Sequence, residues 1–322
     1  MKYLITGTDG QLGGRVAANM LEAVDSSQLI FTVPDLNRLQ KDKYDMWIKR
    51  GVTVKEANYD NASQLNEAFQ GVQRMFFVSS IINGPLRIVQ HQNVVDAAKK
   101  AGIDHVTYTS FLGADRTGYD QYVLPDHTAT EGFLRESGLN YNIMRNNLYL
   151  ENYLINSVLL ANISDYKWIT PAGEGKATYI AKDDSGRVGS ALLQGKGALN
   201  TAYDVTGGES ITQREIVRLI ADASGLPFTY IPVSPDKFFD YLDSIHIPRT
   251  TDGDYSQSPV PFCGNDMVTN EYGVRDGLMD IVTDNVEKLT GQKALCAADL
   301  IEKYSFVWKE KVGTYWDLQK YM

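Results

Sequence analysis

Gly7-Thr8-Asp9-Gly10-Gln11-Leu12-Gly13-Gly14 follows directly on the apolar run Tyr3-Leu4-Ile5-Thr6, and this junction decides the fold. Glycines spaced G-x-x-G-x-x-G between a strand and an amphipathic stretch form a variant of the dinucleotide fingerprint. Gly7 permits a tight turn out of the strand. Gly10 lets the backbone approach a diphosphate with no Cβ in the way, and Gly13 allows close packing of helix on strand. The free N–H groups and positive end of the following helix favour the diphosphate. Thr8, Gln11 and Leu12 therefore join the three glycines as expected cofactor contacts.

Outward from this junction, short apolar runs alternate with amphipathic stretches. The pattern predicts strands at 3–6, 29–33, 52–57, 75–78, 105–109 and 141–144, with helices between them. Helix 13–23 sets Val16, Met20 and Leu21 on one face. Helix 85–101 opens on Pro85 and closes with Lys99-Lys100 before Gly102. Such alternation builds βαβ units on a parallel sheet, so the expected fold class is α/β: a Rossmann-type doubly wound parallel sheet with a smaller C-terminal α/β lobe. Residues 1–150 are assigned to the NAD(P)-binding domain and 151–322 to a smaller substrate-binding lobe, with some interleaving. In that second half, strand-like pieces at 166–169, 203–206 and 229–232 are interspersed with helical stretches at 183–193, 212–223 and 235–242. Segment 248–270, rich in Pro, Gly, Ser, Asp and Thr, reads as a surface loop or lid. Residues 297–310 read as a final helix, with Trp308 and Trp316 as docking residues.

With 322 residues, 43% of them hydrophobic, the chain has enough apolar material for a buried core. A formal net charge of −9 argues against a nucleic-acid backbone or an anionic membrane as partner. Cys263 and Cys296 stand far apart, with no His or Cys at ligand spacing, so neither a metal site nor a disulfide scaffold is expected. No run approaches the ~20 apolar residues of a membrane helix, and the N-terminus lacks signal-peptide features. The expectation is a cytoplasmic monomer or homodimer whose partner is a small-molecule acceptor, with no direct nucleic-acid contact and no membrane.

Several stretches, in one order along nearly the whole chain, resemble the NmrA-like family of atypical short-chain dehydrogenase/reductases. They are Thr6 through Gly13, Asn58-Tyr59-Asp60, Val78-Ser79-Ser80, Asn93-Val94-Val95-Asp96-Ala97-Ala98, Tyr108-Thr109-Ser110, Ser137-Gly138-Leu139-Asn140-Tyr141, Arg145-Asn146, Ala172-Gly173-Glu174-Gly175-Lys176 and Leu289-Thr290-Gly291. The resemblance implies an NAD(P)H-dependent reductase of quinones or similar flat conjugated acceptors. It implies NADPH ahead of NADH, adenine near Asn58, Tyr59 and Asp60, and ribose and nicotinamide along Val78, Ser79 and Ser80. The family also contains redox-sensing regulators that bind the dinucleotide without turnover, which is the alternative reading here. A sugar-nucleotide epimerase is weakened because epimerases need a Tyr-x-x-x-Lys dyad.

Two positions depart from the family pattern. The turn after the second strand reads Val33-Pro34-Asp35-Leu36-Asn37-Arg38, with Pro34 where an Arg meets the 2′-phosphate of NADP. Asp35 suits a ribose 2′-hydroxyl or caps the next turn, whereas Arg38, Lys41 and Lys43 suit a phosphate if this loop folds inward. At the dyad, the alignment puts Val123 in the Tyr place and His127 in the Lys place. His127 has the chemistry to donate a proton or orient a carbonyl, and Tyr149, beyond the sixth strand, has a ring that stacks on a flat acceptor. His127 and Tyr149 are the catalytic candidates. Asp183-Asp184 reads as a helix start.

Overall fold

Leu29–Val33, Leu-Ile-Phe-Thr-Val, is buried along its entire length, as a strand covered on both faces must be. It is β2 of a parallel sheet in a computed structural model that describes residues 1–320. The other strands are β1 (Tyr3–Ile5), β3 (Thr53–Glu56), β4 (Arg74–Phe77), β5 (His105–Phe111) and β6 (Asn140–Asn146). The sheet runs β3-β2-β1-β4-β5-β6 and gains a seventh parallel strand, Thr201–Val205, beside β6. All six strands expected in the first half are present. Thr201–Val205, assigned from sequence to the smaller lobe, instead extends the main sheet.

The order reverses at β1, so the loops leaving β1 and β4 diverge and open a crevice at the carboxyl ends of the strands. Helices α1 (Gln11–Ala23), α2 (Lys41–Lys49), α3 (Ala62–Ala68), α4 (Pro85–Ala101) and α5 (Leu124–Ser137) connect the strands. Neighbouring residues on one strand face opposite ways, as Phe76 and Phe77 illustrate. Phe76 packs with Val16, Met20, Val188 and Leu192 under α1 and the helix Lys182–Leu193, whereas Phe77 packs with Leu65, Val94 and Leu134 under α3, α4 and α5. The limits of α4 follow from local chemistry. Pro85 occupies its first turn, Lys99 and Lys100 its last, and Gly102 ends it at a φ of 68°.

The second half has its own apolar core around Trp168, Leu154, Tyr230 and Val307. Lys167–Thr170 pairs in parallel with Thr229–Pro232, and Lys176–Ala177 pairs antiparallel with Ile211–Thr212. The segment expected to be a loop to residue 270 becomes helical at Gly264–Arg275. Its start is rich in Gly and Asn, poor helix formers, and tertiary packing of Val268 and Val274 overrides that preference. The expected last helix is split into Ala297–Ile301 and Phe306–Lys309. Trp308 is buried; Trp316 is half exposed, with its ring nitrogen donating to the Ser258 carbonyl at 3.3 Å. No described helix is long and apolar enough to cross a membrane.

Candidate active site

Thr6, at the end of β1, ties the floor of the crevice together. Its Oγ1 accepts the Val78 N–H at 3.0 Å and lies 2.6 Å from the Tyr59 hydroxyl, which also reaches the Val78 carbonyl at 2.8 Å. The chain ends of β1, β3 and β4 thus share one hydrogen-bonded knot. Gly7 turns above it with a φ of 61°, where a Cβ would lie 2.6 Å from Val78 Cγ1. A Cβ on Gly13 would sit 2.2 Å from the Gly7 carbonyl oxygen. Helix and loop therefore touch with no room for a methyl group. Thr8 is buried, and its N–H donates to the Thr32 carbonyl at 3.1 Å. Leu12 is buried against the sheet. Gly10 leaves the first turn of α1 without a side-chain cap, and that turn holds no acidic residue. Open N–H groups, a positive helix end and no carboxylate fit a dinucleotide diphosphate.

Asp35 and Arg38 lie on the rim. The Asp35 carboxylate accepts the Asn37 N–H at 2.9 Å and caps the turn Leu36–Arg38, while Arg38 is exposed. Lys43, by contrast, folds inward from α2: its ammonium donates to the Thr8 carbonyl at 3.0 Å and stands 5.0 Å from the Trp47 ring centroid. Burial lowers its pKa, opposed by Asp9. A cation is thereby held between the glycine loop and the end of β2, although Pro34 stands where the family's arginine is expected.

At the ends of β3 and β4, several polar groups are spent on the loops themselves. Asn58 Oδ1 accepts the Asp60 N–H at 2.9 Å, and Asp60 accepts a hydrogen bond from Gln90 at 2.9 Å. Ser79 donates its N–H to Thr109 Oγ1 at 2.8 Å and Ser80 donates its N–H to His91 Nε2 at 3.0 Å. Both serine side chains stay half-buried at the crevice.

Gln11 is the meeting point with the second half. Its Oε1 accepts Lys182 Nζ at 2.7 Å and its amide donates to the Tyr315 hydroxyl at 3.2 Å. The same ammonium donates to Asn152 Oδ1 at 2.9 Å and stands 5.4 Å from the Tyr149 ring centroid. Burial pulls Lys182 down to about 8, against the opposing pull of Glu151. Lys182 belongs to none of the sequence motifs that mark the site. Its signal was a cation at the first position of a helix, where the dipole disfavours it. Asp183 and Asp184 behave as a helix start: Asp183 pairs with Arg15 at 2.6 Å, and Asp184 accepts the Leu295 N–H at 2.6 Å.

Val123 and His127, in the dyad places, open and follow the first turn of α5. His127 is 5% exposed, its Nδ1 lies 2.8 Å from the Tyr108 hydroxyl, and its ring is stacked on Phe111. Burial, then the nearby Arg87 and His91, hold it well below the usual histidine pKa, so the ring is neutral. Tyr149 has the Lys182 ammonium over its ring. Burial raises the pKa of its phenol, which therefore stays protonated. Among the described residues no cluster of His, Cys, Asp or Glu has the arrangement of a metal site.

A doubly wound parallel sheet with a glycine cradle at its switch point defines a dinucleotide-binding α/β protein. The chain belongs to the NmrA-like family, whose model matches residues 2–273. It is 31% identical over 244 residues to quinone oxidoreductase 2 of Escherichia coli, covering 76% of this chain and 82% of that protein. An NmrA-like family domain-containing oxidoreductase of Aspergillus flavus is 30% identical over 244 residues, covering 74% and 77%. Among solved structures, an NADPH complex of the Escherichia coli NADPH-dependent quinone oxidoreductase superposes with a TM-score of 0.81 at 27% identity, covering 94% of this chain and 99% of that one. Triphenylmethane reductase of Citrobacter sp. with NADP(H) gives 0.80 at 26% identity, covering 94% and 100%.

Proposed function

We propose that this chain is an NAD(P)H-dependent oxidoreductase that reduces quinones or similar flat conjugated acceptors by hydride transfer, with NADPH preferred. The observation that carries the reading is the pairing of an intact glycine cradle with a dyad position occupied by Val123 and a neutral His127. The names of the relatives, a quinone oxidoreductase and a dye reductase, support the same acceptor class.

A bound nicotinamide supplies the hydride, and the chain supplies position and a dry surface. Gly7, Gly10 and Gly13, with the N–H groups of Gln11 and Leu12, hold the diphosphate. Lys43 holds a 2′-phosphate. Asn58, Tyr59 and Asp60 border adenine, and Val78, Ser79 and Ser80 run along ribose and nicotinamide. His127 meets the acceptor oxygen, and Tyr149, steadied by Lys182, offers a flat wall. A reduced quinone oxygen is a stabilised anion that takes its proton from water, so the lost tyrosine narrows the substrate class without abolishing the chemistry. The 1–150 portion holds the cofactor and the 151–322 portion covers the acceptor. The charge of −9 supports a small-molecule partner over nucleic acid, in a cytoplasmic monomer or homodimer.

The test is calorimetric titration with NADH, NAD, NADPH and NADP, followed by turnover with a panel of quinones and dyes. NADPH oxidation only on addition of an acceptor is expected. Tight cofactor binding without turnover across the panel would instead favour a redox sensor.

A further inference from the structure

Proton positions around His127 follow from one backbone group. The Ser80 N–H only donates, and it points at His91 Nε2 at 3.0 Å. That nitrogen is therefore unprotonated. His91 is wholly buried, and burial together with the Arg87 cation keeps its ring neutral. Its single proton then sits on Nδ1 and is donated to Thr130 Oγ1 at 2.8 Å, while Thr130 donates its own proton to the Asp126 carbonyl at 2.7 Å. Tyr108 Oη lies 3.5 Å from the same His91 Nδ1, so it faces a donor on that side. Thr130 Oγ1, the other side-chain partner of the Tyr108 hydroxyl, already accepts the His91 Nδ1 proton, so the Tyr108 proton is assigned to His127 Nδ1, at 2.8 Å. His127 must carry its own proton on Nε2.

We propose that His127 presents a fixed Nε2–H to the acceptor oxygen as a neutral hydrogen-bond donor, its tautomer set by Tyr108 and His91 acting as positioning residues. This rests on the reading of the site as one for hydride transfer to a carbonyl-type acceptor. Nε2 lies on the far side of the ring from Tyr108. It has no hydrogen-bond partner among the described residues, yet it is not among the fully enclosed polar atoms that lack one. The groups facing the ring are Arg87 and His91 from α4 and Tyr108 and Phe111 from β5, with Asp126 and Asp266 balancing Arg87. An imidazolium here would add a second buried cation beside Arg87. A neutral N–H avoids that cost and keeps the same donor strength across the neutral pH range.

The test is nitrogen NMR of the full-length protein with labelled histidine, the His127 ring being assigned by its loss in His127→Gln. The expected spectrum shows an unprotonated Nδ1 and a protonated Nε2, unchanged between about pH 6 and 9. Tyr108→Phe is expected to give a mixture of tautomers and a fall in kcat for a quinone of roughly tenfold, with KM little changed. A wild-type ring protonated on Nδ1, or one that titrates to imidazolium in that range, overturns the proposal whether or not the variant folds. Absence of quinone turnover would overturn the proposed function, while the wild-type spectrum would still decide the tautomer by itself.

Discussion

The ammonium of Lys43 lies 3.0 Å from the carbonyl oxygen of Thr8, so a residue from the middle of the second crossover reaches back to the first loop. If this cation holds a 2′-phosphate, Lys43→Met weakens NADPH binding by roughly tenfold to a hundredfold, the ~1.5–3 kcal/mol of a charge-assisted hydrogen bond. NADH binding is expected to stay within about twofold. Calorimetry on the two cofactors checks this; an equal loss for both would show that Lys43 supports the loop instead.

Gly13→Ala places a Cβ 2.2 Å from the Gly7 carbonyl oxygen. Backbone meets backbone there, so no flexible side chain absorbs the clash. A loss of at least about 1–3 kcal/mol of stability is expected, together with loss of dinucleotide binding as the loop is pushed off α1. A variant that melts and binds like the parent would contradict the contact described.

Glu131 and Arg145 form a buried two-pronged pair, Nε to Oε1 at 2.9 Å and Nη2 to Oε2 at 2.7 Å, with Ser110 donating to the same carboxylate at 2.7 Å. Glu131→Gln leaves the guanidinium with only the half-exposed Asp115 as countercharge, at 2.5 Å, and is expected to cost about 2–3 kcal/mol in denaturant unfolding, less than the full loss of a buried pair. Burial pushes the Glu131 carboxyl up, but hydrogen bonds from Arg145 and Ser110 outweigh it and hold the group below the usual glutamate value. Its stabilisation is therefore present above that usual value and is lost as the pH falls through the lowered one. The acid limb of the parent's stability curve should be blunted in the variant.

Glu271 titrates in the opposite sense. Burial raises its pKa to about 7, against hydrogen bonds from Gln213 and Thr170, the latter at 3.0 Å. The folded state favours the protonated acid, so its contribution is complete below about 4.5, the unfolded value, and is lost as the pH rises through about 7. Glu271→Gln is expected to flatten the stability curve over that window and to be more stable than the parent at pH 8 by roughly 2–3 kcal/mol. Parallel unfolding curves for the two proteins from pH 5 to 8 would rule this out.

The cofactor half was readable because its signals are local. Strand pattern, turn glycines and the caps of α4 all lie within a few residues of what they specify. Lys43 and Lys182 were harder, since their roles depend on partners 35 and 171 positions away. Tyr108 gave no sign of its link to His127, because the contact joins a strand to a helix 19 residues on. The helix Gly264–Arg275 was obscured by its own composition: Gly264, Asn265, Thr269, Asn270 and Gly273 carry low helix propensity, and packing supplies what propensity does not. The 1–150 boundary followed the point where alternation fades, but one strand standing alone at Thr201–Val205 has too little pattern to announce which sheet it joins.

That seventh strand has a consequence for how the protein is made. Once β6 has emerged from the ribosome, its edge at Asn142–Asn146, the five residues that Thr201–Val205 later pairs, is bare. The edge stays open while some fifty more residues are added, about 3–10 s at ordinary elongation rates. A ribosome stalled in that interval would expose a template for pairing between nascent chains, whereas in the finished protein the last strand of the sheet has its Asp204 carbonyl covered by Thr283 and Asn285.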